Sequence, residues 1–244
     1  MITKELLQNI GNKKGLKNRE HIEKDYYQDL FLYNLFKISN KFIFKGGTAL
    51  YKIYNLPRFS EDLDFSLLEG MSNENIKEVV IKATKNANLE IKNVKETKGS
   101  LLIKINCVGL LTKQNTLRID ISLKNKILDG FDIKNYIPEY VDINPFSLRI
   151  LKLEEIIAEK IHAIFAREKA RDLFDLFFLL RMSNFNKKLI EEKLNIFNIK
   201  YNKKEFVKNI NNLRNLWNKE LRPFIFTELP EFDIVKDYVI KKLK

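Results

Sequence analysis

The spacing of apolar and polar residues resolves most of this chain into elements. Phe42, Ile43 and Phe44 form a short apolar run, read as a strand that stops at Gly46-Gly47. Thr48 through Tyr54 predicts a short helix, ended by Pro57 because the residue before a proline is pushed out of the α region. From Asp62 to Leu67, Leu63, Phe65 and Leu67 alternate with Asp62, Asp64 and Ser66, the period of a half-buried strand. Upstream, Ile22, Tyr26, Leu30 and Tyr33 make one stripe and Tyr27, Phe31, Leu35 and Ile38 another, which predicts a helix over residues 20–39 buried across a wide face. A shorter helix candidate lies within residues 1–19, which also hold the basic Lys13, Lys14, Lys17 and Arg19.

Downstream, Ile76, Val79, Val80 and Ala83 predict a helix over 73–88, and two strands, 89–95 and 101–108, flank Gly99 as a hairpin. Over 116–124, Leu117, Ile119, Ile121 and Leu123 alternate with Arg118, Asp120, Ser122 and Lys124, so Asp120 points away from the apolar face. Gly130, Pro138 and Pro145 mark 125–146 as connecting structure with short strands. A helix follows over 151–165, with Leu153, Ile156, Ile157, Lys160, Ile161 and Ile164 on one face. Another covers 167–181, with Leu173, Leu176, Phe177 and Leu180 as its core stripe. From 187 to 244 the pattern stays helical, rich in lysine and broken by Pro223 and Pro230. The expectation is an α+β fold: a mixed sheet with flanking helices over residues 1–148, then a helical domain over 149–244.

Composition narrows the class. A chain of 244 residues, 45% hydrophobic and with 18 Phe, has the material for a real core. No apolar run reaches membrane-spanning length, and the start, Met1-Ile-Thr-Lys-Glu, lacks the form of a signal peptide. A single cysteine, Cys107, excludes an internal disulfide and agrees with a cytoplasmic location, with no membrane partner. The 44 basic residues exceed the 32 acidic ones, a net +12 that suits a polyanionic partner such as nucleic acid, or reflects the lysine bias of an AT-rich genome.

The chemistry concentrates between Gly46 and Asp64. A Gly-Gly turn opening a helix leaves backbone N–H groups where an anion is favoured. Asp62 and Asp64 share one strand face, about 7 Å apart at Cα, and repel each other unless a cation stands between them. Hard divalent ions take one or two carboxylates plus substrate phosphates, so the pair points to a metal site. No Gly-x-x-x-x-Gly-Lys or Gly-x-Gly-x-x-Gly is present, which argues against P-loop kinases and dinucleotide enzymes.

Gly46-Gly47-Thr48-Ala49-Leu50 followed by Pro57-Arg58-Phe59-Ser60-Glu61-Asp62-Leu63-Asp64-Phe65 resembles the first motif of the AbiEii-type nucleotidyltransferase toxins, within the DNA polymerase β-like nucleotidyltransferase superfamily. The resemblance extends over residues 40–180. It implies a nucleotidyltransferase-like sheet and transfer of NMP from an NTP to an acceptor hydroxyl, with Mg²⁺ or Mn²⁺ as cofactor. Asp62 and Asp64 would be joined as metal ligands by Asp120, and Gly46, Gly47 and Thr48 would cradle phosphates. Lys160 matches a family lysine expected to reach into the cleft toward the triphosphate; the alternative is a lysine that snorkels its ammonium to water. Ala170-Arg171-Asp172-Leu173-Phe174-Asp175-Leu176 resembles the C-terminal motif, whose essential aspartate is Asp172 or Asp175. Arg171 and Asp175, four apart, are positioned to pair. Ser60 either binds the same phosphates or caps a turn. His162 falls on another face of its helix and has no zinc-site spacing.

The family role implied is toxin of a type IV toxin–antitoxin, or abortive infection, pair. The resemblance further implies a cognate antitoxin, a winged-helix regulator, and tRNA or another RNA as acceptor. Two rivals are a small-molecule nucleotidyltransferase, opposed by the positive charge, and a nucleotide- or RNA-binding protein without turnover, opposed by three mutually repelling carboxylates.

Overall fold

A computed structural model describes residues 2–124 and 126–243; Asn125, which opens the expected connecting segment, and the two terminal residues lie outside the described residues. The chain forms two compact units. The first comprises Met1–Asn55, Phe59–Lys126 and Phe131–Ile150; the second comprises Leu56–Arg58, Ile127–Gly130 and Leu151–Lys244.

The first unit is built on seven strands: β1 Phe42–Lys45, β2 Leu63–Leu67, β3 Glu90–Glu96, β4 Ser100–Val108, β5 Gln114–Ser122, β6 Phe131–Tyr136 and β7 Phe146–Leu151. They form one mixed sheet in the order β3-β4-β5-β2-β1-β7-β6. β1 runs antiparallel to β2, with Lys45 opposite Asp64 and Phe44 opposite Phe65. β2 runs parallel to β5, with Leu63 opposite Ile119 and Asp64 opposite Asp120. Leu63, Phe65, Leu117, Ile119 and Ile121 are fully buried, so their alternation fixes the register: a slip of one residue would turn all of them to the other face. β7 is parallel to β1, Phe44 facing Ile150. This strand falls where the expected connecting segment (125–146) and the expected helix (151–165) leave residues 147–150 unassigned; its alternation of Phe146, Leu148 and Ile150 is too short to stand out from its neighbours.

Among the described residues this unit also holds α1 Lys4–Lys13, α2 Arg19–Ile38, α3 Gly46–Tyr54 and α4 Asn73–Asn86. α1, α2 and α4 begin at side-chain caps, Thr3, Asn18 and Ser72, each accepting a backbone N–H of the first turn. α3 starts at Gly46, two residues earlier than expected, and ends at Tyr54 as expected, but its stop is Asn55 and not Pro57: Asn55 adopts the left-handed conformation (φ 58°) and donates its N–H to the Leu50 carbonyl.

α2 buries charge as well as its two apolar stripes. Asp25 and Asp29 are fully buried, and Lys52 Nζ of α3 stands 2.8 Å from Asp25 Oδ1 and 2.7 Å from Asp29 Oδ1. Lys14 also bonds Asp25, so this member of the basic N-terminal segment is neither solvated nor open to phosphate. Tyr140 donates to Asp25 and Tyr136 to Asp29. Burial raises the Asp29 carboxyl and the neighbouring Asp25 adds to the effect, against the pull of Lys52. Burial also opposes ionisation of Asp25, but Lys52 and Lys14 outweigh it and hold that carboxyl below its ordinary range.

The second unit contains α5 Leu153–Ala166, α6 Ala170–Met182, α7 Lys187–Ile196, α8 Lys203–Asn212, α9 Arg214–Leu221 and α10 Phe232–Lys242. Its core includes Ile157, Ile161, Leu173, Leu176, Leu194, Phe206, Ile210 and Trp217, whose indole N–H donates to the Pro230 carbonyl at 2.9 Å. Glu155 of α5 and Lys193 of α7 form a buried pair at 2.6 Å, and Glu155 also accepts the N–H groups of Leu128 and Asp129. His162 stacks on Phe197, ring centroids 3.8 Å apart. Among the described residues no helix is long and apolar enough to cross a membrane.

Candidate active site

The acidic edge of the first unit is made by adjacent parallel strands. Asp62 immediately precedes β2, Asp64 lies within it, and Asp120 of β5 is the register partner of Asp64. Register partners project to the same face, so all three carboxylates stand on one side, each half-buried. The loop before β2 is held by α2: Gln28 Nε2 donates to the carbonyls of Ser60 and Glu61, both at 2.9 Å. Ser60 is thereby positioned through its backbone.

α3 meets this edge at its first turn. Gly46 has φ +74°, and a Cβ there would overlap the Asp64 carboxylate, with the Asp64 Cβ and Cγ at 2.9 Å. Only glycine satisfies both the conformation and the close approach. The buried Thr48 hydroxyl donates to the Asp62 carbonyl, tying helix to loop, so what Thr48 has left for a phosphate is its backbone N–H. Arg118, two residues before Asp120 on β5, had no assigned role in the sequence reading. Its Nη2 donates to Asp120 Oδ2 at 3.4 Å and its Nη1 lies 3.9 Å from Asp62 Oδ2.

Among the described residues no three acidic, histidine or cysteine side chains converge closely enough to enclose a metal ion by themselves. The residues nevertheless fit Mg²⁺ or Mn²⁺, since such ions take one or two carboxylates and complete their shell with phosphate oxygens and water. The absence of a side chain at Gly46 lets the Asp64 carboxylate lie against the first turn of α3, beside the backbone N–H groups where phosphate oxygens are favoured.

The second unit brings together Lys160, Asp172 and Asp175, with two arginines. Lys160 Nζ is 2.9 Å from Asp172 Oδ1 and 2.7 Å from Asp175 Oδ2, and both aspartates are fully buried. Lys160 therefore does not snorkel: its ammonium lies on two carboxylates, because an apolar helix face can hold a charge only where partners replace water. Arg167 makes two bonds to Asp172, at 2.8 and 3.1 Å. Asp175 takes a bidentate pair from Arg58, both contacts 2.7 Å, and not the expected Arg171, which is exposed on α6. Arg58 lies in the segment between α3 and β2 that belongs to this unit, beside the bond from Phe226 N–H to the Pro57 carbonyl. No periodicity links positions 58 and 175, so this partner was invisible in the sequence. Burial would raise Asp172, but Lys160 and Arg167 hold it well below the carboxylate range; burial would also raise Asp175, but Arg58 and Lys160 bring it below its ordinary value. Burial would lower Lys160, yet Asp175 and Asp172 raise it, so all partners are charged at neutral pH.

The family model for the AbiEii nucleotidyl transferase toxin of type IV toxin–antitoxin systems matches residues 30–237. The chain belongs to this family. It is a nucleotidyltransferase of the toxin–antitoxin kind. No curated protein matches the chain in sequence. Solved structures show the same fold. A candidate nucleotidyltransferase from H. pylori is 24% identical, with TM-score 0.61, covering 92% of this chain and 93% of its own. JHP933 from Helicobacter pylori is 23% identical, with TM-score 0.59 and coverage of 92% and 90%. MenT4, a nucleotidyltransferase toxin from Mycobacterium tuberculosis H37Rv, is 17% identical, with TM-score 0.63 and coverage of 99% and 88%. The match of the AbiEii family model includes both the acidic edge of the first unit and the Lys160–Asp172–Asp175 group of the second.

Proposed function

We propose that the acidic edge of β2 and β5 is where this nucleotidyltransferase transfers NMP from an NTP to a hydroxyl of RNA, tRNA being the favoured acceptor. The observation that carries the reading is the register of Asp64 with Asp120 on adjacent parallel strands, beside a glycine that lets the Asp64 carboxylate pack against the start of α3. Asp62 and Asp64, with Asp120, would hold Mg²⁺ or Mn²⁺. When bound, such an ion polarises phosphoryl oxygens and lowers the pKa of an attacking oxygen. The backbone N–H groups of Gly46, Gly47 and Thr48 face the phosphates from the start of α3, where no side chain caps the helix. Ser60, in the loop before β2, is a further phosphate donor. Asp120 accepts the proton of the attacking hydroxyl. Lys160, Asp172 and Asp175 act through the buried charge group, which fixes the geometry of α5 and α6.

The net charge of +12 supports a polyanionic acceptor. Membership of a type IV toxin family implies a cognate antitoxin, here proposed to be a winged-helix regulator, and a cytoplasmic setting. The test is incubation of purified protein with each α-labelled NTP and total RNA, with Mg²⁺ and with EDTA. Label on RNA that disappears with EDTA is expected. Label appearing only on a small-molecule acceptor would overturn the RNA assignment, and transfer that survives EDTA would overturn the metal.

A further inference from the structure

Arg118 has no part in the chemistry proposed above, yet it stands in the middle of the acidic edge. The sheet does not need it: Leu117, Ile119 and Ile121 bury the opposite face of β5, whereas the Arg118 side chain is 46% exposed. Its two terminal nitrogens divide between Asp120 at 3.4 Å and Asp62 at 3.9 Å, carboxylates that are themselves 26% and 32% exposed. A guanidinium cannot be deprotonated in a protein, so it is a permanent cation at the place where carboxylates on one face repel. Charges that face water exchange partners at small cost, unlike the buried ion pairs of the second unit.

We propose that Arg118 is a resident counter-cation of the acidic edge, and that a divalent ion must displace it from Asp62 and Asp120 in order to bind; this rests on the reading of that edge as the metal site. Arg118 thus sets the threshold metal concentration at which the edge is loaded, and it spares the unloaded protein the repulsion among its carboxylates.

Two exposed charge contacts of this kind correspond to about two- to thirtyfold in a dissociation constant. The experiment is titration with Mn²⁺ in the absence of nucleotide, with free Mn²⁺ followed by electron paramagnetic resonance. Wild type, Arg118→Gln and Arg118→Lys are compared, with Arg118→Met as a second neutral variant should the glutamine variant fail to fold. Arg118→Gln is expected to bind Mn²⁺ about two- to thirtyfold more tightly, with Arg118→Lys closer to wild type. Adding Asp62→Asn to Arg118→Gln is expected to abolish the gain. Unchanged or weaker Mn²⁺ binding by the neutral variants, with binding by wild type intact, overturns this inference and leaves the metal reading standing. No Mn²⁺ binding by any of the proteins overturns the metal reading, and the inference with it.

Discussion

Asp62, Asp64 and Asp120 stand half-exposed along the ends of two strands, whereas Asp172 and Asp175 are shut away from water among Lys160, Arg58 and Arg167. Both groups are carboxylates, and their settings differ in what they leave available. In this buried group of the helical unit Lys160, Asp172 and Asp175 are matched at 2.7–3.1 Å, so its members are costly to separate. At the acidic edge Arg118 reaches Asp120 at 3.4 Å and Asp62 at 3.9 Å, long and solvent-facing contacts, so a divalent ion has something to gain there. The contrast separates a residue's share in chemistry from its share in stability, even where both carry the charge pattern of a motif.

The largest effect that would break this contrast is on transfer. Asp62→Asn or Asp64→Asn is expected to lower kcat/KM by roughly a hundredfold or more, since loss of a metal ligand removes several kcal/mol of transition-state stabilisation. Melting temperature should stay near wild type, because both side chains are partly exposed and asparagine keeps their size. Measuring both on each variant suffices; a large drop in Tm with activity retained would move these residues into the structural class.

The converse holds for Lys160→Met. Removing the ammonium leaves Asp172 and Asp175 buried with less compensation, and breaking a buried pair costs about 3–5 kcal/mol. Urea denaturation reads this directly. If stability is unchanged and kcat/KM alone falls, the ammonium serves the triphosphate, as the family resemblance implies.

Acid sharpens the same point. Asp172 and Asp175 are depressed below the ordinary 3.8, so they contribute stability that is present above that pH and is lost as pH falls toward their folded values. Lys160 is raised above 10.5, so its contribution is full below that pH and is lost only as pH rises through the higher folded value. The stability supplied by this group is therefore expected to be level between about pH 5 and 10 and to fall outside that window. Thermal melts of wild type and Asp175→Asn across pH should converge at the acidic end; a constant difference down to pH 2 would contradict the assignment.

A smaller effect is expected at Gly46→Ala. The positive φ costs roughly 1–2 kcal/mol for any residue with a Cβ, and here the Cβ also meets the Asp64 carboxylate. Stability and kcat/KM should both fall, in contrast to Gly70→Ala, where φ is also positive but nothing lies within 4 Å of the added atom. Smallest of all is the expected share of single surface lysines in RNA binding. Neutralising Lys200, Lys203 and Lys204 should flatten the salt dependence by about 0.7 per lost single-strand phosphate contact. Lys14 does not belong in such a series, because it is spent on buried Asp25. A slope unaffected by these changes would place the RNA elsewhere.

Much of the fold was legible because it depends on period. Alternation at Leu63–Leu67 and over residues 117–123, and the stripes of α2, α5 and α6, are local consequences of burying one face, so they are readable one segment at a time. The family motif likewise pointed to Asp62, Asp64 and the Gly-Gly turn without any structure. What the chain alone could not disclose was which residues distant in sequence become neighbours: Asp64 with Asp120, Arg58 with Asp175, Lys14 and Lys52 with Asp25. Nor could it tell a snorkelling lysine from a buried one, since a charge on an apolar stripe looks the same until its partners are in place. Position 55 ended α3 in place of Pro57 for a related reason: asparagine tolerates the left-handed conformation, but only the path of the following chain decides that it is used. Burial patterns are written into single segments, whereas ion pairs depend on how segments meet, and only the tertiary structure decides that.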